Sequence, residues 1–261
     1  MPPPSTAADW PVLCFGDSLT YGPPGIPFIR YFRHRDRYRN LGVGSDTLTG
    51  MTQRILPCLE DPDNREFIIG IGTNDLLLPH MEGRSEPWRL TVDLMVAHGK
   101  IILRDLDSFV DGYTSLMDRV VAAGKRATVF GLPCIGEDTG SELNRQADTY
   151  NHAIQFICRE REIPFVDFKR YQQRKIRRRG GNNTYLLSDD PSKAIRDSVW
   201  TTLLPLADKV SDRRGLVMTV DGVHLNHASA RLLARLLERA RGIRGGRLEP
   251  DQQDLEPEQT G

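Results

Sequence analysis

Three observations predict a three-layer α/β/α sandwich built on a mainly parallel five-stranded sheet. Short apolar runs recur along the 261 residues, separated by segments whose apolar residues fall at helical spacing. No hairpin signal joins one run to the next, so the connections read as right-handed crossovers. The run Phe67-Ile68-Ile69-Gly70-Ile71 is almost continuously apolar, as a parallel strand covered on both faces requires.

The first strand is expected at about Pro11 to Phe15, closing on Gly16-Asp17-Ser18. A Gly/Pro loop, Gly22 to Pro27, precedes an aromatic and arginine-dense segment, Phe28 to Arg39. That segment reads as a short helix whose arginines (Arg30, Arg33, Arg35, Arg37, Arg39) form a solvated face. The second strand is expected at Tyr38 to Gly42, and the turn Gly42 to Thr47 leads into a helix over Leu48 to Leu59, capped by Thr47 or Asp46.

The third strand ends in Gly72-Thr73-Asn74-Asp75, followed by an interrupted, partly helical insertion near 76–99. A helix over Ile101 to Ala123, a strand over Ala127 to Leu132, a helix over Ser141 to Arg161 and a strand over Pro164 to Phe168 complete the alternation. A second insertion spans 169–217, helical from Ser192 to Val210, and a closing helix runs from His227 to Arg241. These elements make one domain over 10–244, with the Pro-rich 1–9 and the polar 245–261 expected to be disordered.

Lys and Arg number 35 against 35 Asp and Glu, so no whole-molecule field draws in nucleic acid or a membrane surface. The start Met1-Pro-Pro-Pro lacks a basic-then-apolar leader and no run is long enough to cross a bilayer, so a cytoplasmic protein without membrane insertion is expected. The scattered Cys14, Cys58, Cys134 and Cys158 read as reduced thiols rather than a disulfide frame. His34, His80, His98 and His152 have no partners at metal-ligand spacing, so neither metal nor cofactor is expected, and His227 is expected to face away on the closing helix.

Ser18 follows the first strand, Ser45 the second and Asn74 the third, and a parallel sheet puts all three at one edge. Each has a plain structural reading as well: Ser18 as a helix N-cap, Asn74 as a turn residue, and Asp221 with His224 as an Asx turn capping the last helix. Taken together, Gly16-Asp17-Ser18-Leu19, Gly72-Thr73-Asn74-Asp75 and Asp221-Gly222-Val223-His224 resemble the first, third and fifth sequence blocks of the GDSL-type, or SGNH, hydrolases. The blocks occur in order and the resemblance covers about residues 12 to 240.

The resemblance implies the flavodoxin-like form of the sandwich and a lipase-like serine esterase acting on a small-molecule acyl ester. Ser18 would attack the carbonyl, His224 take its proton and Asp221 orient the imidazole. An oxyanion hole would come from the Ser18 N–H, a second-block N–H and the Asn74 amide. An acyltransferase using the same serine, or an inactive ligand-binding relative, are the alternatives.

The second block departs from the family pattern. Five residues after Asn40, where glycine is usual, stands Ser45, with Gly44 just before it. A main-chain donor needs no glycine unless φ is positive or another group approaches closely, so Ser45 is the expected donor and Gly44 the alternative. Asp17 and Asp75 are assigned to local loop hydrogen bonding. The basic run Lys169 to Arg179 reads as a solvated mobile loop, or as one recognising an anionic part of a substrate. Leu76 to Trp88 reads equally as an apolar wall for an acyl chain and as core; a small or medium acyl group on a soluble alcohol is favoured.

Overall fold

The structure, a computed structural model, describes residues 10–180, 183–203 and 206–243. The disorder expected for 1–9 and 245–261 falls outside the described residues. Five strands form one parallel sheet: β1 (Val12–Gly16), β2 (Tyr38–Gly42), β3 (Glu66–Gly70), β4 (Arg126–Phe130) and β5 (Phe165–Val166), in the order β2-β1-β3-β4-β5. This is the expected fold class. The chain leaves β1 toward β2 on one side and returns to add β3 on the other, so the order reverses beside β1, and the crevice beyond its carboxyl end is where such sheets take ligands.

Helices α1 (Ser18–Tyr21), α2 (Leu48–Glu60), α3 (Thr73–Glu82), α4 (Glu86–Ala97), α5 (Leu106–Ala122), α6 (Glu142–Arg159), α7 (Phe168–Arg178), α8 (Ser192–Ser198), α9 (Ala207–Arg213) and α10 (His227–Ala240) surround the sheet. One apolar cluster joins the sheet to α2, α5 and α6 through Met51, Ile55, Phe109, Tyr113 and Ile154. The other joins it to α7 and α10 through Phe28, Phe168, Ile176, Leu233 and Leu237. Burying these side chains against both faces is the principal stabilising force, worth about 1.5–3 kcal/mol for each large one.

Gly42, Gly16 and Gly70 stand in register across the carboxyl ends of β2, β1 and β3. A Cβ on Gly16 would lie 2.4 Å from the Gly70 carbonyl, and one on Gly70 1.9 Å from the Phe130 ring. The three strands therefore close tightly just where their loops diverge.

Several expected elements are corrected. Phe28 to Arg39 is not one helix but two single 3-10 turns, Phe28–Tyr31 and Arg35–Arg37. Aromatic contacts override the helical pattern: Phe28 meets Phe130 edge-on at 5.5 Å and Phe32 stacks on Tyr38 at 3.9 Å. The helix expected from Ile101 begins only at Leu106, because the Asp105 carboxylate caps it by accepting from the Ser108 N–H at 2.7 Å.

The basic run is not a loop either. Asp167 caps α7 by accepting from the Arg170 N–H, and Phe168, Gln172 and Ile176, spaced one turn apart, form its buried stripe. Lys169 is buried too, its ammonium held by Asp148 at 2.5 Å and by the Asn144 carbonyl at 2.7 Å, so it is not offered to a substrate. Insertion 76–99 folds as α3 and α4, and Leu76, Leu77, Leu78, Met81 and Trp88 are all buried, which settles them as core. Leu90 and Leu94 of α4 are exposed. No helix among the described residues is long and apolar enough to cross a membrane, and all four cysteines are free.

Candidate active site

The tight turn after β1 frees a hydroxyl. Asp17 is the N-cap of α1, its Oδ1 accepting from the Leu19 N–H at 2.8 Å, so Ser18 occupies the first helical position and its side chain is not spent on capping. The Ser18 Oγ instead lies 2.9 Å from His224 Nε2. On the far side of the ring, Nδ1 lies 2.7 Å from Asp221 Oδ2. With the Nδ1 proton directed at the carboxylate, Nε2 is the acceptor for the Ser18 hydroxyl.

The Asx turn of the plain reading is present as well, because one carboxyl serves both purposes, but Asp221 does not cap the last helix. Its Oδ1 accepts from the N–H groups of Val223 and His224 at 3.0 and 2.9 Å, an Asx turn that aims the imidazole, while Oδ2 receives the ring. The cap of α10 is Asn226, which accepts from the Ser229 N–H at 3.0 Å. His227 turns away as expected, pairing with the Tyr31 hydroxyl.

The loop after β2 lies against the same turn. The Val43 N–H donates to the Gly16 carbonyl at 3.0 Å, and the Asn74 amide, near the start of α3, donates to the Asp46 carbonyl at 2.8 Å. The N–H groups of Ser18 and Ser45 have no acceptor among the described residues. Ser45 has φ +56°, a left-handed conformation costing a non-glycine residue roughly 1–2 kcal/mol. The substitution of serine for the family's glycine is thus more than a change of side chain. Gly44 is exposed, with open space where a Cβ would point.

Burial disfavours a charged His224, yet the charge and hydrogen bond of Asp221, with more distant Asp17 and Asp197, hold its pKa above the ordinary 6.5. Asp221 feels the same burial, but the imidazolium and three hydrogen bonds keep it below the usual carboxylate value. Asp17 is different. Burial pushes it up to about 7, and its Oδ2 has no hydrogen-bond partner among the described residues. Asp75 acts as expected, bracing the loops by accepting from the N–H groups of Leu48 at 2.9 Å and Leu103 at 3.1 Å.

Two supporting residues escaped the sequence reading. Glu137, fully buried after β4, accepts from the N–H groups of Val217, Met218 and Thr219 and from the Thr219 hydroxyl at 2.7–2.9 Å, clamping the segment that leads to Asp221. An acid directly after the run Leu132 to Gly136 was its only signal. Arg54 on α2 grips Asp46 at 2.5 Å and the carbonyls of Leu41 and Gly16 at 2.7 and 3.3 Å, tying the second-block loop to β1.

The Arg54 side chain is 31% exposed against 7% for that of Asp46, so the pair lies between a surface bridge and a buried one. Arg54→Ala is expected to destabilise the protein by about 2 kcal/mol, read as a lower urea midpoint at unchanged slope. Arg54→Lys, which lacks the fork, should recover less than half of that loss.

A model of the GDSL-like lipase/acylhydrolase family matches residues 14–232. Comparison with curated proteins returned no match. Among solved structures, an acetyl xylan esterase from Geobacillus stearothermophilus is similar at 19% identity and TM-score 0.58, over 92% of this chain and 98% of that one. Another acetyl xylan esterase is similar at 16% and 0.59, over 88% and 98%. A GDSL-like lipase from Bacteroides thetaiotaomicron is similar at 16% and 0.55, over 90% and 89%. At these identities the structures attest the shared fold.

Proposed function

Because the chain belongs to the GDSL-like lipase/acylhydrolase family and is a carboxylic ester hydrolase, we propose that Ser18, His224 and Asp221 form its catalytic triad and cleave small acyl esters through an acyl-enzyme. The observation that carries this reading is the continuous chain Ser18 Oγ, His224 Nε2, His224 Nδ1, Asp221 Oδ2, with links of 2.9 and 2.7 Å.

The Ser18 oxygen attacks the ester carbonyl as its proton passes to Nε2, and Asp221 stabilises the imidazolium so formed. Negative charge on the former carbonyl oxygen is met by the Ser18 N–H, the Ser45 N–H and the second N–H of the Asn74 amide, whose first holds the Asp46 carbonyl. Ser45 is preferred to Gly44 as donor because it lies half-buried between the Asn74 anchor and the Gly16 edge, whereas Gly44 faces solvent. The imidazolium returns its proton to the leaving alkoxide. A water then gives a proton to Nε2, attacks the acyl-serine and releases the acid, restoring the Ser18 hydroxyl.

A short acyl group is favoured, since the leucines following Asn74 are buried in the core. The acetyl xylan esterases of similar fold make acetyl esters the first substrates to try. A fluorophosphonate probe is expected to label the folded protein once, at Ser18, and p-nitrophenyl acetate to turn over faster than the octanoate. Label absent, or found on another residue, would overturn the triad. Acyl transfer to an added alcohol in preference to water would identify the acceptor as something other than water.

A further inference from the structure

We propose that Lys100 is a positioning residue of the oxyanion loop, holding Ser45 in the left-handed conformation that presents its N–H to the substrate. This rests on the site reading above. The Lys100 ammonium donates to the Ser45 carbonyl at 2.7 Å. Ser45 is the third residue of the turn closed by the Asp46 N–H on the Val43 carbonyl at 3.2 Å, a position where positive φ is ordinarily met by glycine or asparagine. Left to itself a serine would relax toward negative φ, rotating the peptide units on both sides. One of these carries the Ser45 N–H, and the other leads to the Asp46 carbonyl on which the Asn74 amide is anchored. A single relaxation would therefore misplace two of the three oxyanion donors.

Lys100 is delivered to this point by the end of the first insertion. Helix α4 stops at His98, Gly99 turns the chain with φ +90°, and the Lys100 N–H donates back to the Met95 carbonyl at 3.0 Å. The next residues are stitched down independently of the lysine side chain, because the Thr47 hydroxyl donates to the Ile101 carbonyl at 2.7 Å and the Leu103 N–H to Asp75 at 3.1 Å. Replacing the ammonium thus removes the hold on Ser45 while leaving the strap in place. A charged donor suits the task, since charge-assisted hydrogen bonds are roughly twice as strong as neutral ones.

The test uses p-nitrophenyl acetate and the whole chain. Removing an oxyanion donor outright costs about 10²–10³ in kcat, and Lys100→Met, which only loosens one, is expected to lower kcat about tenfold with KM within about twofold. Lys100→Arg should restore most of the loss. In a Ser45→Gly background, where left-handed backbone carries no side-chain penalty, the same Lys100→Met change should cost at most about twofold.

An unchanged kcat in folded Lys100→Met, an equal loss in both backgrounds, or a loss confined to KM would each overturn the proposal. Should Lys100→Met not fold, Lys100→Gln carries the same comparison. Ser18→Ala separates the two levels: turnover surviving in it defeats the triad, whereas an inert Lys100→Met beside a dead Ser18→Ala defeats only the role of Lys100.

Discussion

If Ser18 is the nucleophile as proposed, Ser18→Ala is expected to stop ester turnover, lowering kcat on the order of 10⁶-fold, as loss of the nucleophile does in subtilisin-type Ser-His-Asp hydrolases. The fold should survive. Asp17, not Ser18, caps α1, so among the described residues the only hydrogen bond lost with the hydroxyl is the one to His224. That is a cost of about 1 kcal/mol, with a small alanine accommodated at a position 8% exposed. Circular dichroism and a urea midpoint near that of the parent would show the loss to be chemical. Residual rates above the uncatalysed reaction are expected from the proposed oxyanion donors, which the substitution leaves in place. Turnover within tenfold of the parent would mean that the attacking group lies elsewhere.

That the same turn could be read as nucleophile or as cap shows where the sequence was legible and where it was not. Strands β1, β3 and β4 were visible because each carries a short apolar run ending at or beside a glycine, and β2 lies where the sequence reading put it. Ser18 and Asn74 were legible because a parallel sheet gathers the residues following its strands at one edge, whereas Asp221 and His224 were legible only through the resemblance of Asp221-Gly222-Val223-His224 to a family sequence block. Segments 28–39 and 169–179 misled because arginines outnumber the buried positions; Phe168, Gln172 and Ile176 do follow a helical repeat, but it is masked by the cations between them. Arg54, Glu137 and Lys100 act across separations no local pattern encodes, from 8 residues for Arg54 and Asp46 to 82 for Glu137 and Thr219. The left-handed turn at Ser45 was invisible for another reason: a loop's composition does not say which of its residues takes positive φ, and serine argues against the one that does.

Asp221→Asn is expected to have the next largest effect, about 10⁴ in kcat, because an amide at this position cannot stabilise the imidazolium and invites the wrong tautomer. Its signature lies in pH. In the proposed mechanism the reaction needs neutral His224, whose pKa in the parent is held above 6.5, so kcat/KM should rise with pH through a midpoint above that value. Without the Asp221 charge, burial dominates and the His224 pKa falls, so the acid limb of the variant moves to lower pH even as its plateau drops.

Stability should follow the same linkage. A histidine raised in the folded state stabilises fully below the unfolded value of 6.5 and loses this as pH rises through the folded value. An aspartate lowered in the folded state stabilises above 3.8 and loses this as pH falls through its folded value. Both contributions are present together between 3.8 and 6.5, so the gap in unfolding free energy between parent and Asp221→Asn should be widest there and narrow on either side. The second carboxyl near the ring does not erase the contrast. Asp17, pushed up to about 7 by burial, is largely uncharged across that window and supports the imidazolium only as it ionises above it. An acid limb that stays in place when residue 221 loses its charge would mean that His224 is not the group whose deprotonation switches the enzyme on.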